Sequence, residues 1–225
     1  MLKAYQLLIT LVDTHIPVWR RVIIPAETTF KRLHDTIQFS MGWQDYHLYQ
    51  FDIEFAHKLS LRERILLVGD DEAYEEHQFR QLELLKNSVD KNLFEDPSRY
   101  NQWLLRSEVG KAKIIKLPRY VEANPEFSYT YDFGDDWKHT IQLENIINTY
   151  DNGYPVLLEG EGACPPEDVG GPPGYEHFQQ VWNNPSHSEY EDIRSWGQSQ
   201  MYEELDIEKT NRNMSDVLKL KRIKK

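Results

Sequence analysis

Residues 2–12 are rich in Leu, Ile and Val and carry little charge, which predicts a strand. A turn over Asp13 to Pro17 and a second apolar run from Val18 to Ile24, closed by Pro25, complete an N-terminal hairpin. The period then changes. Phe30, Leu33, Ile37 and Met41 recur at spacings of three and four, with Thr28 or Thr29 available as a cap and Gly42 as a stop. From His47 to Phe55 it changes again, to two. His47, Tyr49, Phe51, Ile53 and Phe55 share one face of a predicted strand, and Leu48, Gln50, Asp52 and Glu54 share the other.

The stretch from about 60 to 120 is less decisive. Leu61 to Val68 suits a short strand, and residues 72–93 suit a helix with a stripe of Phe79, Leu82, Leu85 or Lys86, Val89 and Leu93. Trp103, Leu104 and Leu105 anchor a further short helix, and Lys113 to Leu117 reads as a strand before Pro118. Alternation resumes at Phe127, Tyr129, Tyr131 and Phe133, then at Trp137, His139, Ile141 and Leu143. With 134–136 as the loop of a hairpin, Phe133 faces Trp137, Tyr131 faces His139, and Asp132 meets Lys138 on the other side. Residues 151–174 show little periodicity and read as one long, shaped loop rich in Gly, Pro and acid. Helices follow from Tyr175 to about Asn183 and from a Ser186–Glu189 capping box to about Gly197. A last short helix starts at Asp206 or Ser215.

These elements make an α+β chain with a mostly antiparallel sheet and a helical C-terminal part. Composition agrees: of 225 residues, 40% are hydrophobic and 28% charged, as in a packed domain. The net charge of −11 opposes binding to a phosphodiester backbone. Exceptions are the cluster Lys219, Lys221, Arg222, Lys224 and Lys225 and a local group of Arg20, Arg21, Lys31 and Arg32. One cysteine, Cys164, rules out an intramolecular disulfide. The N-terminal run is interrupted by Gln6 and Asp13, has no small-residue cleavage site, and reads as a strand rather than a signal peptide. No apolar run approaches a membrane span, so the cytoplasm is the expected compartment.

Three groups are candidates for chemistry. His34 on the first helix and His47 at the start of the aromatic strand can approach across the Gly42 turn to ligate a metal or move a proton. The hairpin tip offers Asp132, Asp135 and Asp136, backed by Trp137 and His139, but without calcium-loop spacing. The long loop offers Glu161, Cys164, Glu167 and Asp168; its acidic residues would raise the pKa of a thiol, the wrong direction for a nucleophile. Phosphate-loop, GxSxG, HExxH and dinucleotide patterns are absent.

Four segments, PVWRR (17–21), LHDTIQFSMGWQDYHLYQF (33–51), YDFGDDWKHTIQLE (131–144) and GEGACPPEDVGGPPGY (160–175), occur in this order. In them the chain resembles the plasmid pRiA4b ORF-3-like family. The resemblance implies a roll-like α+β fold over about residues 2–205 and brings no reaction with it. It implies a setting of plasmids and insertion-element passenger genes, and it points to Trp19, Arg20, His34, Gly42, Trp43, His47, Asp132, Gly134, Asp135, Trp137, His139 and the loop from Cys164 to Tyr175. Members of the family typically carry a second cysteine where Val169 stands, and often another near Leu157 or Leu158. A thiol-based metal or redox site is therefore not expected to be intact in this chain.

The expectation is thus a single domain over 1–205 with an embellishment at about 60–120, followed by a short helix and basic tail over 206–225. Its leading function is non-enzymatic binding, with a protein as partner, along a groove of Trp43, His47, Tyr131, Asp132, Trp137, His139 and Cys164. One competing reading is a metal-assisted or acid–base hydrolase using His34, His47 and His139, also the candidate ligands of a divalent metal, with Glu167 or Asp168. Another is a nucleic-acid-binding accessory protein.

Overall fold

A computed structural model describes residues 1–56, 63–87, 104 and 107–219. Among these, eight strands form one sheet: β1 (Leu2–Leu11), β2 (Val18–Pro25), β3 (Tyr49–Ala56), β4 (Glu63–Gly69), β5 (Ser107–Lys111), β6 (Glu126–Tyr131), β7 (Trp137–Tyr150) and β8 (Val156–Glu161). Their order is β5-β4-β3-β6-β7-β1-β2-β8. Every pairing is antiparallel except β4 with β5. The helices are α1 (Phe30–Met41), α2 (Asp71–Asn87), α3 (Pro118–Val121), α4 (Gly171–Trp182), α5 (Tyr190–Ser199) and α6 (Ile207–Val217). The protein is therefore an antiparallel-based α+β fold with a helical C-terminal region, as its pattern implied.

Helix α1 is the main cover of the sheet. Thr29 caps it through a bond from the Arg32 N–H, and Gly42 ends it at φ 106°, a backbone region that favours glycine. Phe30, Leu33, Ile37 and Met41 are buried against the sheet's aromatic face. Phe30 meets Phe51 edge-on at 5.1 Å and Phe127 at 6.1 Å. Burying a side chain of this size stabilises the fold by roughly 2–3 kcal/mol. Two prolines occupy the first turn of α4, where their missing N–H groups cost little. Gly197 lets α5 approach α4, since a Cβ there would stand 2.6 Å from the Trp182 ring.

Several elements differ from the sequence expectation. The β6–β7 register is shifted: Tyr131 faces Trp137, Tyr129 faces His139, and Lys138 lies opposite Thr130 rather than Asp132. The loop is Asp132–Asp136, with both terminal aspartates at positive φ (53° and 58°). The Asp136 N–H closes this loop on the Asp132 carbonyl at 2.6 Å. A shift of two keeps every side chain on its face, so alternation alone could not detect it. Phe133 is consequently exposed.

The expected loop over 151–174 contains β8, whose partner β2 lies far away in sequence. Helix α4 starts at Gly171, not Tyr175. No capping box forms at Ser186 and Glu189, and α5 continues past Gly197 to Ser199. The strand expected at Lys113 to Leu117 is instead β5, nearer the N-terminus; of the expected segment, Lys116 alone makes a bridge, to Thr29.

Helix α2 exists, but Phe79, Leu82 and Leu85 face outward and His77 is buried. The chain entering β5 presents carbonyls of Leu104 and Ser107, which bond to Gln81, while His77 meets the Ser107 hydroxyl at 3.0 Å. Unpaired backbone groups draw the polar face inward. Val89, Leu93, Trp103 and Leu105 lie outside the described residues.

Candidate functional site

Two clusters of histidine and carboxylate stand near the ends of α1. In the first, His34 projects from α1 into the interior, fully buried, and stacks on Tyr49 at 3.6 Å. Its Nε2 lies 2.7 Å from Asp45, and its Nδ1 lies 2.8 Å from the Tyr129 hydroxyl. An ionised carboxylate only accepts, so Nε2 carries the proton and Nδ1 accepts from the phenol. Burial lowers the His34 pKa and keeps the ring neutral. Lys31 supplies the positive charge, bonding Asp35 at 2.7 Å and Asp45 at 3.1 Å. Burial would raise the Asp45 pKa, but His34 and Lys31 outweigh it and hold the carboxyl below its usual range.

The second cluster is assembled from three separate segments. His47 comes from the α1–β3 connection, Asp132 from the end of β6, and Glu167 and Asp168 from the connection between β8 and α4. His47 Nε2 stands 3.7 Å from Asp132 Oδ2, 3.8 Å from Glu167 Oε2 and 3.4 Å from Asp168 Oδ1. None of these contacts is a hydrogen bond, and both His47 Nε2 and Glu167 Oε2 are buried atoms without a hydrogen-bond partner.

The supports of this cluster are specific. The Tyr131 hydroxyl accepts from the backbone N–H groups of Tyr46 (3.0 Å) and His47 (3.4 Å) and donates to Glu167 Oε1 at 3.0 Å. The Gln44 N–H donates to the same Oε1 at 2.9 Å. Oε1 is thus held, and Oε2 points to His47. Burial raises the Glu167 pKa, with a further push from Asp132. Asp132 Oδ1 accepts from the Gly134 N–H at 2.9 Å, leaving Oδ2 for His47. Asp135 accepts from the Gly170 N–H at 3.1 Å and so ties the hairpin tip to the long loop. Asp132 (φ 53°) and Asp168 (φ 57°) both sit in the left-handed region, which Asp tolerates better than most residues.

The family model for plasmid pRiA4b ORF-3-like proteins matches residues 3–213. The chain belongs to this family. It is 30% identical over 201 residues to the uncharacterised protein y4hQ of Sinorhizobium fredii, covering 88% of this chain and 82% of the relative. It is also similar to a crystal structure of MM3350, a protein of unknown function from Methanosarcina mazei Go1, with a TM-score of 0.62 and 28% identity over 87% of this chain and 90% of that one. The biochemical activity of this pRiA4b ORF-3-like domain is not given by these relatives.

The other candidates of this family member fall elsewhere. His139 is buried, its Nδ1 directed at the carbonyls of Trp137 (3.1 Å) and Tyr129 (3.3 Å), and burial lowers its pKa to about 4. The three histidines therefore do not share one centre. Trp43, Tyr131 and Trp137 are packed inside as the floor under the His47 cluster rather than as an open groove. Trp43 Nε1–H bonds the Pro165 carbonyl at 3.0 Å, which anchors the long loop. Burial pushes the Cys164 thiol up, against the pull of Arg20, away from the thiolate form that nucleophilic attack needs.

Arg20 is buried and gives four hydrogen bonds of 2.7–2.9 Å to the carbonyls of Ser40, Trp19, Glu161 and Gly162. It clamps the end of α1 to the start of the long loop. Arg21 pairs with Glu144 and Glu159. With Lys31 also engaged, the expected basic group is mostly committed to internal partners. Among the described residues, no helix is long and apolar enough to cross a membrane. Sequence reasoning joined His47 to Glu167 or Asp168 in one reading and to Asp132 in another, but did not bring all four to one centre. It missed Gln44 and Asp45, whose roles carry no local signal.

Proposed function

We propose that this chain is a non-enzymatic binding or accessory domain whose ligand engages the cleft around His47, Asp132, Glu167 and Asp168. One observation carries this: of four buried side-chain atoms without a hydrogen-bond partner among the described residues, the others being Trp137 Nε1 and His139 Nε2, His47 Nε2 and Glu167 Oε2 converge to 3.8 Å. Buried polar groups are nearly always paired, and leaving one unmade costs about 1–3 kcal/mol. A bound ligand would repay that cost. A cavity of about 610 Å³ lies on the other side of Glu167, between the end of α1, the 164–167 loop and the α5–α6 connection, with Trp43, Pro166 and Tyr202 in its wall; His47, Asp132 and Asp168 do not line it.

The hydrolase reading used His34, His47 and His139 with Glu167 or Asp168, and of these both acids do stand beside His47. His34 is instead bonded at both ring nitrogens, to Asp45 and Tyr129, and His139 is buried with Nδ1 on backbone carbonyls, so neither joins that centre, which favours binding over acid–base turnover. The dispersed basic residues and the net charge weigh against a nucleic-acid ligand. The family's name supports a plasmid-linked setting for the partner.

The test pairs thermal shifts with turnover assays on the full chain. A panel of metal salts, small organic acids and nucleotides is screened for shifts that His47→Ala removes. Generic phosphatase, esterase and nuclease substrates are followed in parallel. Ligand-induced stabilisation without turnover supports the reading. Turnover abolished by His47→Ala overturns it.

A further inference from the structure

We propose that His47, Asp132, Glu167 and Asp168 bind one divalent transition-metal ion. This rests on reading the cleft as a binding site, and it names the ligand.

The geometry argues for an ion between the donors rather than bonds among them. An Nε2–H of His47 bonded to one of these carboxylates would draw its oxygen to a short hydrogen bond, as His34 does with Asp45 at 2.7 Å. The observed separations from His47 Nε2 are 3.4, 3.7 and 3.8 Å. Donors about 2.0–2.2 Å from one metal stand roughly 3–3.6 Å from each other, so the separations from His47 Nε2 are within a few tenths of an ångström of a common shell. Donor atoms of His47, Asp132 and Asp168 all lie within 4.8 Å of one another.

Charge points the same way. Among the described residues, the ion pairs of these three carboxylates all go to His47. The first cluster already holds its cation, Lys31, within hydrogen-bond reach of both aspartates. The second holds none. Glu167 is 3% exposed, and its unpartnered oxygen stands 3.8 Å from His47 Nε2.

The supporting bonds complete the case. Metal-bound carboxylates are usually oriented by a hydrogen bond to the oxygen that does not ligate. Oε1 of Glu167 takes Tyr131 and Gln44, and Oδ1 of Asp132 takes Gly134. In both residues the other oxygen faces His47. One imidazole with oxygen donors suits manganese or zinc better than magnesium. Asp168 is 73% exposed at its side chain, so the shell opens to solvent on that side and leaves room for water or a ligand oxygen.

Mn²⁺ is the probe. The full chain, stripped with chelator and dialysed, is titrated with MnCl₂ by calorimetry and by the loss of the aqueous Mn²⁺ EPR signal. One equivalent is expected. Asp168→Asn, at an exposed position that leaves the fold intact, weakens binding at least tenfold, and so do His47→Ala and Glu167→Gln. Tyr131→Phe weakens it less, through loss of the bond that aims Glu167. Asp45→Asn, in the first cluster, leaves it unchanged. Binding that survives Asp168→Asn and His47→Ala, or that Asp45→Asn removes, overturns the proposal. So does absence of binding at millimolar Mn²⁺ and Zn²⁺. If other ligands then still shift the melting temperature through His47, the binding-domain reading stands without a metal. If none does, both readings fail.

Discussion

The two histidine–carboxylate clusters have nearly the same composition and opposite states. His34, Asp35 and Asp45 form a closed set: both ring nitrogens are bonded, Lys31 bonds both acids, and Tyr129 and Gln38 fill the remaining positions. His47, Asp132, Glu167 and Asp168 form an open set, with buried atoms left over. Residue types do not distinguish them; the accounting of donors and acceptors does. The closed cluster ties α1 to β3 and β6, and the open one has the unspent valence that a ligand needs.

The sharpest way to break this comparison is to delete each histidine. His34→Ala should cost about 3 kcal/mol in urea unfolding, because it leaves a cavity, an unpaired Tyr129 hydroxyl and an unmatched Asp45. His47→Ala should change stability by less than about 0.5 kcal/mol in metal-free buffer, since its Nε2 has no protein partner. Equal losses would erase the distinction between the clusters.

A pH series tests a third histidine, His139, which is buried with Nδ1 on backbone carbonyls and Nε2 unpartnered among the described residues. His139 is neutral in the folded chain, with a pKa lowered to about 4 from the ordinary 6.5. A depressed histidine contributes stability that is fully present above about 6.5 and lost as pH falls towards about 4. That gap corresponds to roughly 3 kcal/mol. The unfolding free energy should therefore decline across this window, and His139→Gln should flatten that part of the profile.

Smaller effects sharpen the open cluster. Glu167→Gln should raise metal-free stability by about 1 kcal/mol at pH 7, because a buried carboxylate oxygen without a partner is replaced by a neutral group. The same variant should bind metal worse, a trade between stability and function that differential scanning calorimetry with and without Mn²⁺ would register. Asp168→Asn should leave metal-free stability within about 0.5 kcal/mol, since the side chain is exposed and Asn tolerates the same positive φ.

Much of the fold was legible. Strands β1, β2, β3, β6 and β7 and helix α1 follow from period-two and period-3.6 patterns whose apolar sides become the core. The site was legible as parts. His47, Asp132, Glu167 and Asp168 each lie in a motif segment that also carries the family resemblance, yet spacing along the chain gave no reason to group them. His34 looked equally suited to a metal. Only Asp45, Tyr129 and Lys31, brought to it by the α1–β3 connection and the sheet, show that it is already satisfied.

The sequence by itself determined an α+β chain of net negative charge with a strong aromatic face, and it excluded an intramolecular disulfide and the common catalytic motifs. These properties depend on local spacing, composition and counting. Tertiary structure decided the β6–β7 register, the place of β8, the outward stripe of α2 and the open state of the His47 cluster. A two-residue slip preserves alternation, and β8 pairs with a strand from the other end of the chain. Buried hydrogen bonding can be totalled only once distant segments meet. For that reason the chain's candidate ligand site is visible in the convergence of three loops and in no one of them alone.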